Sequence, residues 1–212
     1  MHDAKANRLR EEYQKLLTLK RRSDFIGVEP VDVQPGYPPE RYVITYTCRG
    51  IKAVDRFLEP IPSDEHRVEI YLIDFPVREP ILKWQTDIWH PNIEHDGLRR
   101  VCTDNGKSWY SSKSLDLLVM GMGLMVQYRR YHAKWLPPYP IDKKAANWVL
   151  NYAEPRNIVG PDKPFDDRPL LRKQPVVDSE LAPGATEDDG EIVFGPPEDD
   201  RKIIFGEPFS DR

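Results

Sequence analysis

Cysteine is scarce in this chain: Cys48 and Cys102 are the only two among 212 residues. They allow one disulfide at most, and a single pair in a body of this size reads better as two free thiols in a reducing compartment. His90, His95 and Cys102 lack the paired close spacings of a zinc site, so no metal and no other cofactor is expected. Nothing resembles a signal peptide, and no run of about 18 apolar residues occurs. The chain therefore reads as soluble and cytoplasmic, without a membrane partner. Glycine, at 12 residues, is outnumbered by proline at 21, which breaks the sequence into short elements.

Charge is close to balanced in total, yet the two ends differ. Residues 1–177 hold 28 basic and 24 acidic side chains, whereas 178–212 hold 3 and 11, for a net charge of −4. An acidic tail is a poor ligand for phosphate backbones, which argues against nucleic acid as its partner. Amphipathic periodicity stops near Ala153. The reading is a folded body over 1–153 and a Pro-rich acidic extension over 154–212, disordered or ordered by a partner. Within it, two β-prone runs echo each other, Glu191-Ile192-Val193-Phe194-Gly195-Pro196 and Lys202-Ile203-Ile204-Phe205-Gly206-Glu207-Pro208. They suit either two linear motifs bound by a partner or segments folded back on the body.

Within the body, Leu9, Tyr13, Leu16 and Leu17 recur at helical spacing, with Lys5, Arg8, Arg10, Glu11, Glu12 and Lys15 on the other faces. The β-branched and aromatic run Tyr42–Cys48 predicts a strand ended by Gly50. Further strands are expected near Arg67–Phe75 and Ile81–Thr86, with a short one over Val54–Phe57. Leu115, Leu118, Val119, Met122, Leu124 and Met125 predict a long helix, in which Gly121 and Gly123 imply close packing against the sheet. After Leu136-Pro137-Pro138-Tyr139-Pro140, a last helix places Ala145, Trp148, Val149 and Tyr152 on one stripe. The fold class is α+β: an N-terminal helix, an antiparallel meander sheet, then helices and a flexible tail.

Between strand and helix lies Ile88-Trp89-His90-Pro91-Asn92-Ile93-Glu94-His95-Asp96-Gly97, followed by Leu98-Arg99-Arg100-Val101-Cys102-Thr103-Asp104 and Trp109. This segment resembles the active-site stretch of ubiquitin-conjugating enzymes, and the element order over roughly Ala4 to Ala153 is similar to theirs. Asp74–Trp84 is likewise similar to the family's proline-rich turn, though shorter. One departure is the loop, about two residues longer between Gly97 and Cys102 than the family's usual spacing. The chain looks like a divergent member, similar to the conjugating enzymes of bacterial operons.

The chemistry fits the residue types. A thioester carrier needs a side chain that attacks as a thiolate and later leaves, which is cysteine's property. Cys102 is the candidate nucleophile, with Arg99 and Arg100 close enough in sequence to favour its thiolate if they turn toward it. A carboxamide can stabilise the oxyanion formed when an amine attacks, which gives Asn92 its role. Asp104, at an acidic position common in the family, can orient or help deprotonate a lysine. The resemblance implies that His90, Pro91 and Trp109 shape the loop and that Lys5 and Arg8 dock an activating enzyme. It implies three partners: a ubiquitin-like protein, its activating enzyme and a target amine. The resemblance also implies an acidic residue in the loop before the post-active-site helix, and the best match within Pro137-Pro138-Tyr139-Pro140 is Tyr139 or its neighbour.

Two other readings stay open. One is a catalytically inactive variant of the same fold that binds a ubiquitin-like protein or its activating enzyme. The other is an unrelated hydrolase pairing Cys102 with His66, His90, His95 or His132.

Overall fold

The computed structural model describes residues 2–103 and 110–172, side chains from Ala4 onward. Asp104, Trp109 and both tail motifs lie outside the described residues. Helix α1 spans His2–Arg22, as the apolar stripe predicts, and buries Leu9, Leu16 and Leu19. Strands β1 (Ile26–Val31), β2 (Arg41–Tyr46), β5 (His66–Tyr71) and β6 (Ile81–Trp84) form one antiparallel sheet in the order β1-β2-β5-β6. Strands β3 (Gly50–Val54) and β4 (Pro60–Ser63) make a separate hairpin between β2 and β5. Helices α2 (Leu115–Val126) and α3 (Lys143–Trp148) follow, and α3 runs into a π-helical turn over Val149–Ala153. The fold is α+β with helix, antiparallel sheet and helices in the predicted order.

Register explains the core. Ile44 faces Val68 and Val68 faces Trp84 across β2, β5 and β6, so one sheet face carries a continuous apolar row. Leu9 and Leu16 of α1 and Val119, Met122 and Met125 of α2 pack with that row. A second cluster joins Ile51 of β3 to Tyr128, Trp148, Val149 and Val159.

Three details differ from the sequence reading. Strand β1 is unanticipated; Pro30 lies in it and is tolerated because β1 is an edge strand, where one side of the backbone needs no ladder partner. Val54–Phe57 is not a strand but the end of β3 and a turn in which Asp55 Oδ1 accepts the N–H groups of Phe57 at 2.8 Å and Glu59 at 2.9 Å. Gly50 opens β3 instead of merely ending β2, and a Cβ there would sit 2.6 Å from His66 Nε2 and 2.8 Å from Val126 Cγ1.

Glu12 is the largest surprise on α1. Placed by periodicity on a solvent face, it is fully buried. Its Oε2 accepts the Leu115 N–H at 2.6 Å, and its Oε1 pairs with Lys15 at 2.8 Å and Arg8 at 3.1 Å. Ser114, the cap position of α2, makes no side-chain capping bond, so the carboxylate from α1 supplies the negative end that the helix dipole favours.

Residues 154–172, read from the sequence as part of the extension, pack on the body. Leu170 is buried against Gly123, where a Cβ would lie 2.8 Å from its Cδ1. Ser23 Oγ also donates to the Leu170 carbonyl at 2.5 Å.

Candidate functional site

The site grows from the edge of the sheet. Past β6 the chain makes the His90-Pro91-Asn92 turn, then doubles back as a narrow hairpin. Ile93 pairs with Val101, the Glu94 N–H donates to the Arg100 carbonyl at 2.9 Å, and the Cys102 N–H donates to the Asn92 carbonyl at 2.9 Å. The returning strand also extends the sheet: Arg100 bridges Lys83, and the Trp84 N–H donates to the Arg99 carbonyl at 2.9 Å. Gly97 at the tip has φ 64°, and Arg99 follows it with φ 52°. Cys102 and Asn92 are thereby held opposite one another at the hairpin's base.

The two cysteines differ sharply. Cys48 is a fully buried free thiol, and burial pushes its pKa up to about 12. Cys102 is free and half-buried. Solvent access thus makes Cys102 the more reachable thiol of the two.

Asn92 is anchored by side chain as well as backbone. Its Oδ1 accepts the His132 N–H at 2.7 Å, and its Nδ2 donates to the His132 carbonyl at 3.2 Å. A carboxamide nitrogen has two hydrogens, so this pairing holds the buried group and engages one of them.

His90 is fully buried, and its Nδ1 accepts the Asn92 N–H at 3.1 Å. Desolvation pushes its pKa down to about 3, partly opposed by the Arg130 backbone. The ring is neutral at physiological pH, with Nδ1 unprotonated, and packs 4.9 Å from the Tyr128 ring. It serves the turn as an anchor, not as an acid or base.

Pro91 contributes its carbonyl, which accepts the Asp142 N–H at 3.0 Å. Asp142 is a residue the sequence reading missed. Its Oδ1 caps α3 at the Ala145 N–H, 2.9 Å away, while its Oδ2 accepts from both the backbone and the Nδ1 of His95. One carboxylate thus ties the hairpin to the start of α3. The capping part was visible as Asp before Lys-Lys-Ala-Ala; the partnership with His95 was not.

Arg99 and Arg100 do not turn toward the thiol as anticipated. Arg99 donates to the Thr86 carbonyl at 2.7 Å and pairs with Asp87 at 3.3 Å, whereas Arg100 pairs with Glu94 at 3.1 Å. Sheet-edge and cross-hairpin partners engage both side chains once the hairpin forms. Among the described residues, Arg130 bonds the chain one residue beyond Cys102: its Nη2 donates to the Thr103 carbonyl at 2.6 Å.

In the first turn of α1, Lys5 pairs with Glu40 at 2.6 Å and donates to the Ile73 carbonyl at 3.0 Å. Arg8 pairs with Glu12 and donates to the Lys113 carbonyl at 3.0 Å. Beyond the hairpin, Trp135 and Tyr139 stay largely exposed, their rings 5.9 Å apart and Lys143 Nζ 5.5 Å from the Trp135 ring centre. Among the described residues no cluster of three or more His, Cys, Asp or Glu could hold a metal ion, and no helix is long and apolar enough to cross a membrane.

No family model and no curated protein matches the chain. Among solved structures, the E2 domain of a ubiquitin conjugating enzyme from Toxoplasma gondii is similar to it, at 18% identity and a TM-score of 0.45, over 68% of this chain and 87% of that chain.

Proposed function

We propose that the chain is a divergent ubiquitin-conjugating enzyme, which accepts a ubiquitin-like protein as a thioester on Cys102 and passes it to an amine. The observation that supports this reading is the bond from the Cys102 N–H to the Asn92 carbonyl, which pairs the residue of the half-buried free thiol with the residue of the anchored carboxamide across the hairpin. The element order and the His90-Pro91-Asn92 turn support it by resemblance. The thiolate displaces the activating enzyme's thiol from the modifier's C-terminal carbonyl. An amine then attacks that carbonyl, the oxyanion is met by Asn92 Nδ2–H, and Cys102 leaves as thiolate. Asp104 is proposed to orient the amine, and Lys5 and Arg8 to dock the activating enzyme. A cytoplasmic location and an origin in a bacterial operon belong to the same proposal, as does partner binding by 191–196 and 202–208.

The inactive variant remains the competing proposal, favoured by the longer Gly97-to-Cys102 spacing and by the lack of an acidic residue within Pro137–Pro140, the next one along, Asp142, being engaged by the α3 cap and His95. The test is a charging assay with the cognate activating enzyme, ubiquitin-like protein and ATP, resolved without reductant. A thiol-sensitive higher band present in wild type and missing from Cys102→Ala supports the carrier. No band beside a charged activating enzyme leaves the binding module.

A further inference from the structure

We propose that Arg130 is a positioning residue for Cys102, holding the carboxyl side of the nucleophile through the Thr103 carbonyl from a seat on α2 that Gly121 keeps open. Its part in transfer rests on the thioester reading, whereas its effect on Cys102 can be read without it.

The two sides of Cys102 are secured by different means. On the amino side, hairpin pairing fixes Val101 opposite Ile93 and the Cys102 N–H on Asn92. The chain then leaves the hairpin, and at Thr103 the Arg130 guanidinium grips the carbonyl at 2.6 Å. A charged donor makes such a bond stronger than a neutral one. Arg130 is itself located by its own backbone, which donates to the Leu124 carbonyl at 3.2 Å where α2 ends.

Gly121 explains how the guanidinium fits. A Cβ at this position would lie 2.9 Å from Arg130 Nη1, and that atom is its one close contact. Glycine weakens a helix interior relative to alanine, so its use here answers to space. Two residues beyond Arg130, the His132 backbone grips the Asn92 carboxamide. Residues 130–132 therefore hold both the chain after the nucleophile and the carboxamide beside it. Thr103 and Arg130 also line one cavity of about 190 Å³ together with Tyr110, Leu117 and Leu118.

The experiment uses the full chain as wild type, Arg130→Met, Arg130→Lys and Gly121→Ala. Iodoacetamide labelling is followed peptide by peptide by mass spectrometry, with buried Cys48 as the internal standard for a closed fold. Losing one net hydrogen bond should raise the labelling rate of Cys102 about fivefold in Arg130→Met and Gly121→Ala, with Cys48 still protected. Arg130→Lys, which keeps a charged donor, should return toward wild type. In single-turnover discharge of the preformed thioester to free lysine, the first two variants should slow while Arg130→Lys recovers. Wild-type labelling in either Arg130→Met or Gly121→Ala overturns the proposal, as does labelling of Cys48 in step with Cys102, which would mean general loosening. Failure of wild type to form a thioester would sink the carrier reading and leave the labelling result to decide the role of Arg130.

Discussion

Glu12 on α1 accepts the backbone N–H of Leu115 at 2.6 Å, so a buried carboxylate from the first helix caps the second. Arg8 and Lys15 balance its charge. Removing it strands Arg8 and uncaps α2 together. Glu12→Ala should cost about 2–4 kcal/mol in urea unfolding, more than a cap alone. Glu12→Gln, which keeps an acceptor oxygen, should lose less, and an equal loss would deny the capping role.

The cysteines should separate by accessibility. In the native state iodoacetamide should modify Cys102 and spare Cys48, whose thiol is buried and held at about 12. Both should react in denaturant. Peptide mass spectrometry reads the two sites apart, and native labelling of Cys48 would contradict the packing.

Acid should weaken the fold through its buried histidines before most carboxylates protonate. His90 falls from an ordinary 6.5 to about 3 on burial, and burial lowers His66 as well. Between those values the unfolded chain binds more protons, so stability rises with pH there. The contribution is complete above about pH 6.5 and is lost as pH falls toward about 3. In His90→Gln, unfolding free energies from pH 4.5 to 7 should show a shallower slope, and an unchanged slope would place the loss elsewhere.

Gly123→Ala sets helix propensity against space. Alanine should gain up to about 1 kcal/mol in the helix. Its Cβ would meet Leu170 Cδ1 at 2.8 Å and Tyr46 Cε1 at 3.1 Å. The clash with the buried ring should prevail, giving a lower Tm and faster proteolysis after residue 160. A higher Tm would show that Leu170 yields freely.

Legibility in the sequence followed the range of the interactions. The stripes of α1 and α2 and the β-branched run of β2 are local patterns, and they emerged nearly in place. β1 was hidden by Pro30, whose exclusion from strands does not hold at an edge. Glu12 looked like solvent-facing charge because its partners Ser114 and Leu115 are about a hundred residues away. In the site, the His90-Pro91-Asn92 turn and Cys102 stood out, since residue type and order carried the signal. The supports did not: His132, Asp142 and Arg130 reach their targets across 27 to 47 residues. Nothing local marks them.

The hairpin carries one more implication, for its own tip. Pairing of Ile93 with Val101 closes the base independently of what happens between His95 and Arg99, where Asp96 and Arg99 form the turn. The residues between Glu94 and Arg100 lie beyond the paired backbone groups, apart from the Cys102 bond to Asn92. Lineages of such a protein could lengthen or trim this tip in steps of two, changing which surface it brushes against while the sulfur stays in place. An odd step would be different: it would need another turn type between Asp96 and Arg99, because the Ile93–Val101 and Glu94–Arg100 pairs below it keep their register.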